Sequence, residues 1–374
     1  MTSSRRLRLA WLTNAPSADQ IDLFTALARR PEIDFNVIYC SPRSVKGEIE
    51  SSAPYGRGVS LQGSRLPRAD GGFFLNPSII PLLARSCYDI LIIGGYAHPT
   101  MQLAMMVRAV QRKPWLLFAE RPGMVQNYWH SFGRRIAMCM VRSADGIIAT
   151  GRLAKESFAL QLGSSADVFS VPYLVNHTDF LQLRRPGNTT NRISFMACAA
   201  LIPRKGIDVL IKAFQQAAQA NPDFSLTIVG DGPEREPLEE SVTDECRDRI
   251  TFRGAIPFTE RAQVFGEADV FIHPARHDGW GVVIHEALAA GMPVIATRET
   301  GAAYELLEDG SNGFLIDAED EAGLVERILW FVNHRNEIER FSHRARAAVS
   351  GLTPEWGAAE LVRITQSISR ARDL

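Results

Sequence analysis

Two successive rounds of alternation between short apolar runs and amphipathic stretches set the strongest limit on how this chain folds. Residues 7–12, 35–40, 89–93, 115–119, 146–150 and 168–171 are strand-like, with helical patterns at 21–29, 101–111 and 152–162 between several of them. The rhythm resumes later with strand-like runs at 193–197, 225–229, 250–253, 269–273 and 293–296. Alternation of this kind predicts parallel sheets wrapped by helices, here two doubly wound halves with a cleft between them. A polar, turn-rich segment at 183–191, LRRPGNTTN, carries no apolar period and is the expected linker. Residues 45–76, rich in Gly, Ser, Pro and Arg, interrupt the first half and read as a long functional loop.

Length agrees with two halves, because 374 residues exceed the size at which a single core stops growing. A net charge of -1 gives no electrostatic argument for nucleic acid, and none is expected as a partner. The five cysteines are scattered and lack metal-ligand spacing, so they read as reduced thiols of a cytoplasmic protein. The opening MTSSRRLRLAWLTNAP has the arginines and apolar run of a leader, but Arg8 breaks the run and a first strand is the better reading. No uninterrupted apolar stretch is long enough to span a bilayer.

The stretch 271–297, FIHPARHDGWGVVIHEALAAGMPVIAT, holds two carboxylates, Asp278 and Glu286, with seven residues between them. A strand should deliver Asp278 into the loop at its carboxyl end, where open α/β sheets bind ligands, and Glu286 should lie one turn into the next helix. Gly279 and Gly281 bracket Trp280, which lets backbone N–H groups approach a ligand. On a helical wheel His285 and Glu286 share one side and Val283, Ile284, Ala287 and Leu288 the other, as in any surface helix.

This segment resembles the signature of retaining glycosyltransferase family four, the glycosyl transferases of group 1, in which two acidic residues seven apart flank a Gly-aromatic-Gly turn. Collinear with it, PRKGIDVLIKAF at 203–214 and IVGDGP at 228–233 resemble the family's basic turn and Gly-rich turn, and 251–257 and 304–315 match in order and spacing. The resemblance implies a GT-B fold: an N-terminal Rossmann-like acceptor domain at 1–184, a C-terminal nucleotide-sugar domain at 185–352, and a terminal helix at 353–374 crossing back to the first. It further implies transfer of a hexosyl group from a nucleotide sugar to a hydroxyl of a saccharide or lipid-linked acceptor, in bacterial surface polysaccharide or glycolipid assembly. An inactive nucleotide-sugar-binding subunit, or another GT-B enzyme such as an epimerase or phosphorylase, is the alternative.

Residue by residue, the resemblance assigns the donor ribose to Glu286, the donor hexose to Asp278, and the sugar and diphosphate to the amides from Gly279 through Trp280 and Gly281 to Val282. The base would be read by backbone near Ile256. Arg204 and Lys205 would stabilise the leaving diphosphate, which needs cations aimed at the oxygen where charge develops. The family usually has Glu where this chain has Asp278, and its Arg five residues before the Lys falls on Ala200, so Arg204 is expected to take over that task. In the first half the position facing the donor sugar falls on Glu120, in FAERPG, with His98 in GGYAHPT as the alternative. The resemblance implies no metal and no other cofactor. The stretch 129–142, WHSFGRRIAMCMVR, reads either as a membrane-surface helix, giving peripheral contact at the inner face of the membrane, or as a buried helix with two exposed arginines.

Overall fold

The computed structural model describes residues 5–15, 18–41, 58–66, 73–122, 138–163, 167–183 and 192–372. The chain forms two compact units, Met1–Val175 with Thr353–Leu374, and Asn176–Leu352. Most of the expected linker and of the stretch 129–142 lies outside the described residues.

The first unit is a parallel sheet of β1 (Leu7–Thr13), β2 (Ile33–Tyr39) and β3 (Gly58–Ser60), then, beyond the small antiparallel pair β4 (Ser64–Leu66) and β5 (Phe73–Leu75), β6 (Ile90–Gly94), β7 (Trp115–Ala119), β8 (Gly146–Ala149) and β9 (Val168–Ser170). The spatial order is β3-β2-β1-β6-β7-β8-β9. Every residue of β7 and β8 is buried, which is why these strands are continuously apolar rather than alternating: helices cover both faces. The expected loop at 45–76 is corrected in its described parts, since β3 extends the sheet and β4 and β5 form a hairpin. These strands are three residues long and flanked by Gly, Ser and Pro, so they carry too few alternations to be read from sequence.

The terminal helix Pro354–Arg372 returns to this unit and packs on the helix Ala18–Ala28. Gly357 makes the approach possible, because a Cβ there would lie 1.7 Å from Leu174 Cδ1.

The second unit repeats the architecture with β10 (Ile193–Cys198), β11 (Phe224–Val229), β12 (Ile250–Gly254), β13 (Val270–His273), β14 (Val294–Thr297) and β15 (Gly313–Ile316). All pairings are parallel and the order is β12-β11-β10-β13-β14-β15. Its core joins Phe195, Phe214 and Phe224 to Phe331 and Phe341. The glycines of IVGDGP serve this packing: a Cβ on Gly230 would meet Ala199 O at 1.8 Å and one on Gly232 would meet Leu201 O at 2.4 Å. Backbone therefore lies on backbone where β10 and β11 end.

Candidate functional site

In each sheet the strand order reverses once, between β1 and β6 in the first unit and between β10 and β13 in the second. Loops leaving the carboxyl ends of the two strands at such a point diverge and leave a crevice. In the second unit Lys205 follows β10, Asp278 follows β13, and the two side chains form an ion pair in that crevice. Pro203–Lys205 forms one 3-10 turn just ahead of Gly206, and the helix Ile207–Ala220 begins directly after it. Gly206 has φ +66°, and a Cβ there would meet Pro274 O at 2.1 Å, so this turn lies directly against the loop leaving β13. Arg276 clamps the arrangement, donating to both carboxylate oxygens of Asp208 at 2.8 and 2.7 Å and to Pro203 O. That bidentate contact holds the Asp208 carboxyl below its usual range.

Asp278 is buried and acceptor-rich. Lys205 Nζ donates to its Oδ2, His273 Nε2 donates to the same oxygen at 3.0 Å, and Arg204 Nη1 lies 3.5 Å from Oδ1. Burial pushes the carboxyl up, but the hydrogen bond from His273 and the Lys205 charge outweigh it and hold the group well below the usual carboxylate range. Burial drives His273 below its usual range against the pull of Asp278, and Nε2 carries a proton because a carboxylate only accepts. The turn itself is laced to the loop after β14: Asp278 N–H donates to Glu299 O at 3.3 Å, Gly301 N–H to Asp278 O at 3.2 Å and Ala302 N–H to Trp280 O at 2.7 Å. Trp280 is buried, with its ring 5.4 Å from that of His285. Gly281 has φ +86° and caps the helix Val282–Ala289, whose first amides carry the positive end of the helix dipole.

The plain surface-helix reading of this segment, set against a functional Glu286, does not hold, since His285 and Glu286 are both completely buried. Helices Thr178–Leu181, Arg261–Phe265, Gly301–Leu306 and Ile338–Val349 enclose this helix, so its polar side is interior as well. Glu286 Oε2 accepts from Arg261 Nη2, a partner that no motif indicates. Cys198, at the end of β10, hydrogen-bonds Arg261 and lies within electrostatic reach of Lys205 and Glu286; burial raises its thiol to about 11. The two ion pairs are thus neighbours around one buried thiol. Ile256 is half-buried in the loop after β12. His285 stacks on His177 with centroids 5.5 Å apart, and neither ring nitrogen of either residue has a hydrogen-bond partner.

In the first unit Asn14 follows β1 and His98 follows β6, and their side chains meet at 3.0 Å at that sheet's own reversal. Phe74 N–H donates to His98 Nδ1 at 3.2 Å. His98 also caps the helix Pro99–Gln111. Glu120 is exposed immediately after β7, on the same carboxyl edge.

Residues 181–348 match the family model for glycosyl transferases group 1. That match lies within the second unit. A GDP-mannose-dependent alpha-(1-6)-phosphatidylinositol monomannoside mannosyltransferase of Mycolicibacterium smegmatis is 32% identical over 200 residues, covering 50% of this chain and 52% of that protein. A phosphatidyl-myo-inositol mannosyltransferase of Mycobacterium leprae is 30% identical over 170 residues, 45% of this chain and 44% of that one. The chain thus spans about half the length of the relatives it matches. Among solved structures, HepE from Anabaena in complex with UDP has a TM-score of 0.75 at 18% identity, covering 97% of this chain and 100% of that one. Sucrose-phosphate synthase from Thermosynechococcus elongatus also has a TM-score of 0.75, at 20% identity, over 98% and 100%. At such identities these neighbours define the fold, which is GT-B, with two Rossmann-like units and a terminal helix returning to the first. Among the described residues, no helix is long and apolar enough to cross a membrane.

The stacked histidines make acid stability a test of the buried helix. Burial lowers His177 to about 4 and His285 to about 3, against 6.5 for an exposed ring. Below pH 6.5 the unfolded chain binds protons that the folded chain refuses, so their contribution is intact above 6.5 and is lost as pH falls toward 4. Each ring then contributes a slope of about 1.4 kcal/mol per pH unit. His285→Phe, which keeps the ring and removes one titrating group, should give a shallower fall of thermal midpoint between pH 6.5 and 4 than the parent; equal slopes would contradict the assignment.

Proposed function

We propose that the chain is a retaining glycosyltransferase that moves a hexosyl group from a nucleotide sugar to a hydroxyl of a saccharide or lipid-linked acceptor. The observation that carries this reading is the meeting of Lys205, Arg204 and Asp278 with the start of the helix Val282–Ala289 at the reversal of the second sheet. The group 1 match covers all of these residues.

Departure of a nucleoside diphosphate concentrates negative charge on the leaving oxygen, and this crevice supplies cations and helix amides in fixed positions for it. Before the donor binds, Asp278 neutralises Lys205; the arriving diphosphate competes for the ammonium, and the amides from Gly279 to Val282 take the remaining oxygens. Glu286 is enclosed beneath Arg261, so a ribose that reaches it takes that guanidinium's place. Arg261 is then available to the diphosphate, a second cation in compensation for Ala200. Asp278 faces the hexose. With cations already provided by Arg204 and Lys205, the reaction proceeds without a divalent metal. The names of the mannosyltransferase relatives make GDP-mannose the first donor to screen, and the UDP bound to HepE makes UDP-glucose the second.

Two kinetic outcomes follow from these roles. The ribose does not react, so Glu286→Ala should mainly raise donor KM, by roughly ten- to two-hundred-fold for a hydrogen bond to a charged group worth about 1.5–3 kcal/mol. Charge develops at the hexose, so Asp278→Asn should lower kcat more than it alters KM. The reverse pattern in steady-state assays, or parental activity in both variants, would show that the roles are assigned to the wrong carboxylates.

Chelation separates the cationic mechanism from a metal-assisted one. Turnover should be unchanged in EDTA, and loss of activity that manganese restores would remove the charge-stabilising role from Arg204 and Lys205.

A further inference from the structure

The opposite, amino-terminal edge of the first unit's sheet holds a cavity of about 700 Å³. Three segments leading into strands build it: Arg5 to Arg8 at the start of β1, Ser86 to Asp89 ahead of β6, and Arg112 to Pro114 ahead of β7, with the last turn of the terminal helix alongside. His98 and Glu120 lie on the other edge, so the cavity is separate from the crevice they line.

Among the described residues, six cationic side chains line it, Arg5, Arg6, Arg8, Arg112, Lys113 and Arg372, against one lining carboxylate, Asp89. Asp89 is shared between Arg5 at 2.9 Å and Arg8 at 2.7 Å, and Arg372 pairs with Asp145 behind the wall. Lys113 Nζ donates to the Ser86 carbonyl at 3.5 Å. This is a local accumulation in a chain whose net charge is -1. Gathering like charges costs free energy unless an anion offsets it.

Backbone geometry points the same way. Arg112 ends its helix in the left-handed conformation, φ 54° and ψ 30°, a position that glycine fills without strain and that other residues rarely adopt. Here the chain keeps an arginine, and Arg372 Nη1 donates to its carbonyl at 3.1 Å. Beneath the cavity Arg108, fully buried, donates to the carbonyls of Tyr88 at 3.3 Å, Asp89 at 3.1 Å and Pro114 at 2.7 Å. That staple fixes two of the three segments, so the cations stand on a rigid floor rather than on drifting loops.

We propose that this cavity binds a ligand carrying two or more phosphoryl groups, at a site distinct from the glycosyl-transfer site. Its volume falls in the range of small-molecule pockets, about 300–1,000 Å³, and exceeds what a single phosphate fills. Phosphoryl oxygens match the forked donors of Arg6 and Arg112, with Lys113 as a point charge. The same chemistry is offered by phosphorylated head groups of an anionic membrane and by a free polyphosphate.

The test uses the full chain, with inorganic tripolyphosphate titrated by calorimetry and with co-sedimentation on phosphatidylglycerol or phosphatidylcholine vesicles. Two variants are compared: Arg6→Gln with Lys113→Gln, and Arg112→Gly, which removes a charge while relieving the backbone. The parent should bind tripolyphosphate with an affinity that falls steeply with salt, and each variant should bind at least tenfold more weakly with an unchanged or, for Arg112→Gly, raised thermal midpoint. Phosphatidylglycerol binding lost in the same variants would identify the source as lipid, and tripolyphosphate binding without vesicle binding would identify a soluble ligand. Absence of binding by the parent to either probe overturns the proposal. So does equal binding by parent and variants, the result expected of an anion held at Lys205 instead.

Discussion

The buried carboxylate of Asp278, held by Lys205 and His273, is the contact on which the second unit's crevice depends. It ties the loop after β10 to the loop after β13 at the point where the sheet would otherwise let them diverge. Burying such a pair is costly, and breaking it by removing one partner costs about 3–5 kcal/mol because a charge is left without compensation. The surrounding backbone is arranged to avoid that: Gly206 admits the basic turn against Pro274, Arg276 clamps it through Asp208, and the Asp278–Trp280 turn is laced to the loop after β14. On the proposed function, a diphosphate entering here would meet charges already positioned when the leaving group departs.

The two sheets use one topological device for different chemistry. At the reversal of the first sheet the loops meet through neutral groups, Asn14 and His98, with Phe73 and Phe74 rings against the imidazole. At the reversal of the second they meet through full charges. A neutral, aromatic-flanked crevice suits uncharged hydroxyl-bearing groups, and a charged one suits a diphosphate.

Sequence patterning made the strands of both sheets legible because parallel strands covered on both faces are unbroken apolar runs, and the Asp278 turn was legible because its glycines have steric work to do. Arg261 was not: it lies 25 residues before Glu286 in a five-residue helix, and only the fold brings them together. The burial of His285 and Glu286 was missed for a related reason. A helical wheel shows which residues share a side, but covering that side falls to helices such as Thr178–Leu181 and Arg261–Phe265, too short to announce themselves by periodicity. Strand β15, four residues starting at Gly313, has no alternation to read and is fixed by pairing with β14.

The most direct measurement is a crystal structure of the full chain with a nucleoside diphosphate hexose. The account predicts the diphosphate on Lys205 and the amides from Gly279 to Val282, with a ribose hydroxyl on Glu286 and Arg261 displaced from it. A ligand bound away from the reversal of the second sheet, with the Arg261–Glu286 and Lys205–Asp278 pairs both intact, would contradict it.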